Sequence, residues 1–205
     1  SSERCIFWEE EKALILADLH FGKTGHFRKF GIPVPQAVYK QDLQRLIQQI
    51  QYFQPQQLIV VGDLFHSREN KELELFQKWR HDLPDINIKL IRGNHDILHD
   101  QWYQQSHITV TDNILALNNL FGFVHDPEET DLQTYSDHYF FTGHLHPGIR
   151  MSGQGRQSSS FPCYYFTSTH CILPAFSEFT GLAIVSPARG EKVFAIVDKK
   201  VMQFH

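Results

Sequence analysis

Apolar residues along this chain fall into short runs separated by polar clusters, and the spacing within each run distinguishes strand from helix. Residues 4–8 and 12–17 read as a hairpin around the polar turn 9–11. From residue 36 to 53, Val38, Leu43, Leu46, Ile47, Ile50 and Phe53 recur at helical spacing, and Pro55 ends that helix. Leu58-Ile59-Val60-Val61 is a buried strand. A second helix over about 70–83 places Leu73, Phe76, Trp79 and Leu83 on one face before Pro84 stops it, and residues 86–91 give a third strand. The order β-α-β-α-β supplies the crossovers that parallel strands require. After about residue 107 helical periodicity is scarce, except around 132–138. Short strands follow at 108–111, 114–117, 120–124, 139–142, 161–167, 182–185, 192–197 and 201–204. Residues 151–160, rich in glycine and serine, read as a polar loop. The pattern predicts a mixed α/β sheet flanked by helices and packed on a second sheet, in one domain over residues 1–205.

Five polar clusters sit just after these apolar runs: Asp18-Leu19-His20, Gly62-Asp63, Gly93-Asn94-His95-Asp96, His125-Asp126, and Gly143-His144-Leu145-His146. Parallel α/β sheets gather ligands at the carboxyl ends of their strands, so groups distant in sequence can converge in one crevice. Each fragment alone is ordinary. Their conjunction supplies mixed oxygen and imidazole donors without thiolates, a set that suits two divalent ions of manganese, iron or zinc rather than calcium or a structural cysteine-zinc site. Two metals bridged by a carboxylate hydrolyse phosphate esters. His95 can act as a proton donor. Asp126 reads equally well as an orienter of a neighbouring histidine or as a turn cap before Pro127.

Charge and cysteine content narrow the setting. Net charge is −4 with histidines neutral, which argues mildly against a dedicated nucleic-acid binder, although bound dications would make the site locally positive. Cys5, Cys163 and Cys171 form no CxxC pair and read as structural thiols in a reducing cytoplasm. No apolar stretch reaches the roughly 20 residues that span a bilayer, and the start of the chain does not read as a secretory leader. Lys23, His26, Arg28 and Lys29, interleaved with Phe27 and Phe30, form the most basic stretch near the clusters. It could grip a phosphate backbone and stack a base, or be a solvated loop with two aromatics in the core.

The cluster series resembles the calcineurin-like metallophosphoesterase superfamily, whose signature runs D-x-H, G-D, G-N-H-[DE], H, G-H-x-H. By that resemblance the fold is a four-layer α/β/β/α sandwich of two mixed β-sheets flanked by helices. Asp18, His20, Asp63 and His146 would hold one metal, and Asp63, Asn94, His125 and His144 the other, with Asp63 bridging. His95 matches the histidine that handles the leaving group. Phosphoprotein phosphatases of the superfamily read G-D-x-x-D-R-G, whereas Gly62-Asp63-Leu64-Phe65-His66-Ser67-Arg68 carries His66 in place of the second Asp. That is similar to the superfamily's repair nucleases, where this histidine lies by the scissile phosphate.

A fuller resemblance covers nearly the whole chain. Residues 17–23, Arg28, Gly31, Pro33-Val34-Pro35, His125-Asp126-Pro127 and Leu173-Pro174-Ala175-Phe176-Ser177-x-Phe179-Thr180-Gly181 look like the bacterial ligase-associated DNA damage response endonuclease family (PdeM). The last segment is expected to pack the second sheet against the site wall. The resemblance implies catalysis by His95 and His66 and manganese-dependent cleavage of DNA in repair, and Lys23, His26 and Arg28 of the basic stretch are the candidate substrate contacts. It also implies a setting alongside a DNA ligase and helicase, away from the membrane. The alternatives are a small-molecule phosphoesterase acting on a cyclic nucleotide or dinucleotide, and a non-catalytic interaction scaffold. The last would be expected to lack His95 or several ligands.

Overall fold

In the computed structural model, which describes residues 1–23, 37–66, 71–128, 131–153 and 158–205, two β-sheets face each other. The first has the order β1-β2-β3-β4-β5, built from β1 (Ile6–Trp8), β2 (Ala13–Leu16), β3 (Gln57–Val61), β4 (Asn87–Ile91) and β5 (Ile108–Thr111). The hairpin β1–β2 is antiparallel and every later pairing is parallel. Helices α1 (Ala37–Phe53), α2 (Lys71–His81) and α3 (Asp100–Gln105) make the crossovers. Strands buried on both faces need near-continuous apolar runs, which is why β2 and β3 read Ala-Leu-Ile-Leu and Leu-Ile-Val-Val.

Alternation within those strands assigns the two faces. Leu14, Leu16, Leu58, Val60, Ile88 and Leu90 point to the helices, where they meet Leu46 and Ile50 of α1, Phe76 and Trp79 of α2, and Tyr103 of α3. Ala13, Ile15, Ile59, Val61 and Ile91 point the other way, against Phe123, Phe141, Tyr164, Cys171 and Ile196 of the second sheet. The three cysteines are buried and unbridged. No helix among the described residues is long and apolar enough to cross a membrane.

The second sheet is also mixed. Its main path is β12 (Ala183–Ile184), β9 (Pro147–Ser152), β10 (Ser158–Phe166), β11 (His170–Ile172), β8 (Tyr139–Thr142), β7 (Phe121–Val124) and β6 (Leu115–Leu117). β13 (Lys192–Val197) joins β10, and β14 (Lys200–Gln203) joins β13. On its outer face the 3₁₀ turn Gln133–Tyr135 brings Tyr135 to Phe140, ring centroids 6.5 Å apart. β7 and β8 run parallel, as do β2, β3 and β4, so each sheet delivers its strand ends to one edge.

Two expectations are corrected, and one helix was not foreseen. Residues 151–160 are not simply a loop, because Met151 and Ser152 pair with Ser159 and Ser158 across the β9–β10 hairpin. These side chains are largely exposed, so backbone hydrogen bonds hold the ladder and no apolar alternation marks it. Helix α3 is six residues long, too short for a period to register, yet it seats Tyr103 in the core. The second helix also closes at His81, two residues before the expected end.

Candidate metal centre

The polar clusters follow β2, β3, β4, β7 and β8, and the structure brings them together. His20 Nε2 lies 3.4 Å from His146 Nε2 and 3.8 Å from Asp63 Oδ2. His146 Nε2 lies 3.4 Å from Asp18 Oδ1. On the other side of Asp63, Oδ1 lies 3.6 Å from His125 Nε2. Asn94 Oδ1 stands 3.2 Å from both His125 Nε2 and His144 Nδ1. The two oxygens of Asp63 therefore face different histidine sets. Asp18 lies close to both, its ligand atoms within 4.8 Å of those of His20 and His146 and of those of Asp63 and His125.

These separations fit cations. Donor atoms bound to one ion at about 2.0–2.2 Å stand roughly 3–3.5 Å apart at tetrahedral or octahedral angles. Two buried carboxylates in contact range call for positive charge between them. Burial raises the Asp63 carboxyl above the usual carboxylate range and Asp18 repels it further, opposed by His125 and His95; a dication reverses that balance. Burial drives the His20 imidazole far below its ordinary value, and Lys23, His146, His66 and His95 push the same way. It is neutral, as a metal-binding imidazole must be. His125 Nδ1 faces the Val61 carbonyl at 3.1 Å; with the proton there, Nε2 presents its lone pair to the site.

The local backbone is shaped for this convergence. Asp18, His20, Asp63, His144 and His146 all adopt positive φ, 50° to 65°. Left-handed backbone costs about 1–2 kcal/mol per residue for L-amino acids and is characteristic of functional sites. The motif glycines clear space. A Cβ on Gly62 would stand 2.0 Å from His125 Nδ1, and one on Gly93 would stand 2.3 Å from Asp63 Oδ1. The His144 amide donates to the Asp18 carboxylate at 3.2 Å, tying the second sheet to the first.

His66 and His95 pack together at the His20 end, ring centroids 4.3 Å apart and planes tilted by 38°, each 5.4 Å from the His20 ring. The backbone of Lys23 donates to the His20 carbonyl at 3.1 Å, and its half-buried ammonium feels both Asp63 and Asp18. Burial lowers its pKa, and those carboxylates oppose the shift. His26 and Arg28 lie outside the described residues. Asp126 takes both roles foreseen for it. Oδ2 is 3.5 Å from His144 Nε2, and Oδ1 accepts the Glu128 amide at 2.9 Å.

Two supports carry no chemical signature in the sequence. Asp96 accepts the Gly93 amide at 2.9 Å and the Phe65 amide at 3.0 Å, locking two ligand loops together from a buried position that raises its pKa to about 7. The acidic residue closing the G-N-H-[DE] motif was the only available hint. The Leu173–Ser177 segment leaves β11 and runs beside the end of β2, where the Phe176 and Ser177 amides donate to the Ala17 and Asp18 carbonyls at 2.8 and 3.1 Å. Arg45 stacks on Phe176 at 4.2 Å, and Ser177 donates to Asp42 at 3.0 Å.

Comparison with known proteins agrees with this geometry. The family model for calcineurin-like phosphoesterases matches residues 12–132. No curated protein matches significantly. Among solved structures, Pseudomonas putida nuclease MPE superposes with a TM-score of 0.80 at 26% identity, over 99% of this chain and 92% of that one. YfcE, a phosphoesterase from E. coli, is matched over 94% of this chain and 97% of that one, with a TM-score of 0.47 at 14% identity. Signature, strand-end convergence and family match coincide, and the chain belongs to the calcineurin-like phosphoesterases, a family of metal-dependent hydrolases.

Proposed function

We propose that this protein is a dinuclear phosphodiesterase whose substrate is DNA, cleaved as an endonuclease in repair, with manganese as the working metal. The carrying observation is Asp63, whose two carboxylate oxygens reach separate histidine sets beside the His66–His95 pair. Similarity to a nuclease over 99% of the chain supports a nucleic-acid substrate. The ligand-bearing loops of both sheets are needed, which supports one domain over residues 1–205.

Asp18, His20, Asp63 and His146 would hold one ion, and Asp63, Asn94, His125 and His144 the other. Bound there, the ions would supply a nucleophile at neutral pH and neutralise charge building on the phosphoryl oxygens. His95 gives its proton to the departing oxygen, while His66 hydrogen-bonds the scissile phosphate. Asp126 holds the His144 ring. Lys23 adds charge beside the phosphate, and His26 and Arg28 follow it in sequence toward the backbone of a longer substrate. Work beside a DNA ligase and helicase in the cytoplasm rests on the family resemblance.

The test is a side-by-side assay with manganese of single-stranded DNA, double-stranded DNA, a chromogenic diester and the matching monoester. Internal cleavage of DNA at a rate above that of the chromogenic diester is expected. Turnover of small diesters alone would transfer the reading to a small-molecule phosphodiesterase. Inactivity on every ester would overturn it.

A further inference from the structure

A cavity of about 520 Å³ opens beside the His144 end of the metal centre. It shares His144 and Asp126 with the cleft of about 320 Å³ that lies over Asn94 and His125. A substituent on a phosphorus held at the metals can therefore pass into it without leaving the protein surface. Its walls are apolar, formed by Leu132, Leu145 and Ile172. Leu145 is 43% exposed although it sits between two ligand histidines, and this cavity is where its side chain is presented. Asp126, Glu128, Thr169 and His170 add polar groups to the same lining.

That lining selects its occupant. Carboxylates in the lining disfavour a phosphate inside the cavity, and apolar walls with a few polar groups suit a neutral heterocycle. Position selects which substituent enters. His95, which meets the leaving oxygen in the proposed reaction, lies beside His66 at the opposite, His20 end. We propose that the cavity bounded by Leu132, Leu145 and Thr169 is a nucleobase subsite, holding the nucleoside that stays on the phosphorus during cleavage. This rests on the phosphodiesterase reading and specifies its substrate as a nucleotide ester.

Two chromogenic diesters with the same leaving group separate the subsite from the chemistry: thymidine 5′-(4-nitrophenyl phosphate) and methyl 4-nitrophenyl phosphate, each assayed with manganese. The wild-type protein should favour the thymidine ester in kcat/KM by about tenfold to a hundredfold, the range expected from burying one apolar group against Leu132, Leu145 and Ile172. Thr169→Trp, which fills the cavity from an exposed position, should lower that preference at least about tenfold, with the change in KM for the thymidine ester. Leu132→Ala, which removes one wall, should also lower it and stands in if the tryptophan variant misfolds. Equal turnover of both esters by the wild type, or a preference unmoved in folded variants, overturns the subsite and leaves the phosphodiesterase intact. Turnover of neither ester overturns both.

Discussion

The backbone N–H of His95 donates to Oδ1 of Asp63 at 2.9 Å, so the carboxylate proposed to bridge the ions also fixes the loop that carries the proposed proton donor. The bond is made by the main chain and leaves the imidazole available to the substrate. His95→Asn should therefore preserve the Asp63 contact and the bound metals. Turnover of a chromogenic diester should fall by about 10²–10⁴-fold, the usual contribution of a general acid. Metal analysis of the same preparation checks the separation; parallel loss of metal and activity would make His95 a structural residue.

Asp63→Asn should behave differently. An amide offers one oxygen and one donor, and that donor would face His20 or His125, 3.8 and 3.6 Å from the present carboxylate oxygens. Equilibrium dialysis against manganese should find half the wild-type metal or less. His144→Ala, which removes the imidazole beside Asn94 but keeps the backbone bond to Asp18, should lose only one ion and retain the other at near wild-type affinity.

Gly93→Ala tests the packing around the bridge. The new methyl would meet Asp63 Oδ1 at 2.3 Å and the Asp63 amide nitrogen at 2.4 Å, a clash relieved only by moving the ligand or its loop. A displacement near 1 Å costs about 10²-fold in rate, and circular dichroism should show the sheets retained. Gly181→Ala, whose Cβ meets nothing within 4 Å, is the matched control and should stay within about twofold.

The side chains proposed to face the metals were legible in the sequence because chemistry restricts their type and the parallel strands restrict their place. Asp18, Asp63 and Asn94 had to follow β2, β3 and β4, and each apolar run marked its strand. What supports them was not legible. A carboxylate such as Asp96 that accepts two amides leaves no period and no spacing rule. Leu173–Ser177 stood out as a family-like segment expected to wall the site, but its hydrogen bonds to the Ala17 and Asp18 carbonyls arise only when the two sheets meet. The exposed β9–β10 ladder stayed hidden because its side chains bury too little to leave a pattern.

Asp96 gives a stability prediction distinct from the catalytic ones. It is buried, and its oxygens take the Gly93 and Phe65 amides, one from each of two ligand loops. Asp96→Ala would strand both donors away from water, at about 1–3 kcal/mol for each unsatisfied group. The urea midpoint should fall accordingly, and manganese should recover part of the loss because the ions bind the folded loops and not the unfolded chain. Loss of stability without any rescue by manganese would mean that Asp96 supports the fold independently of the metal loops.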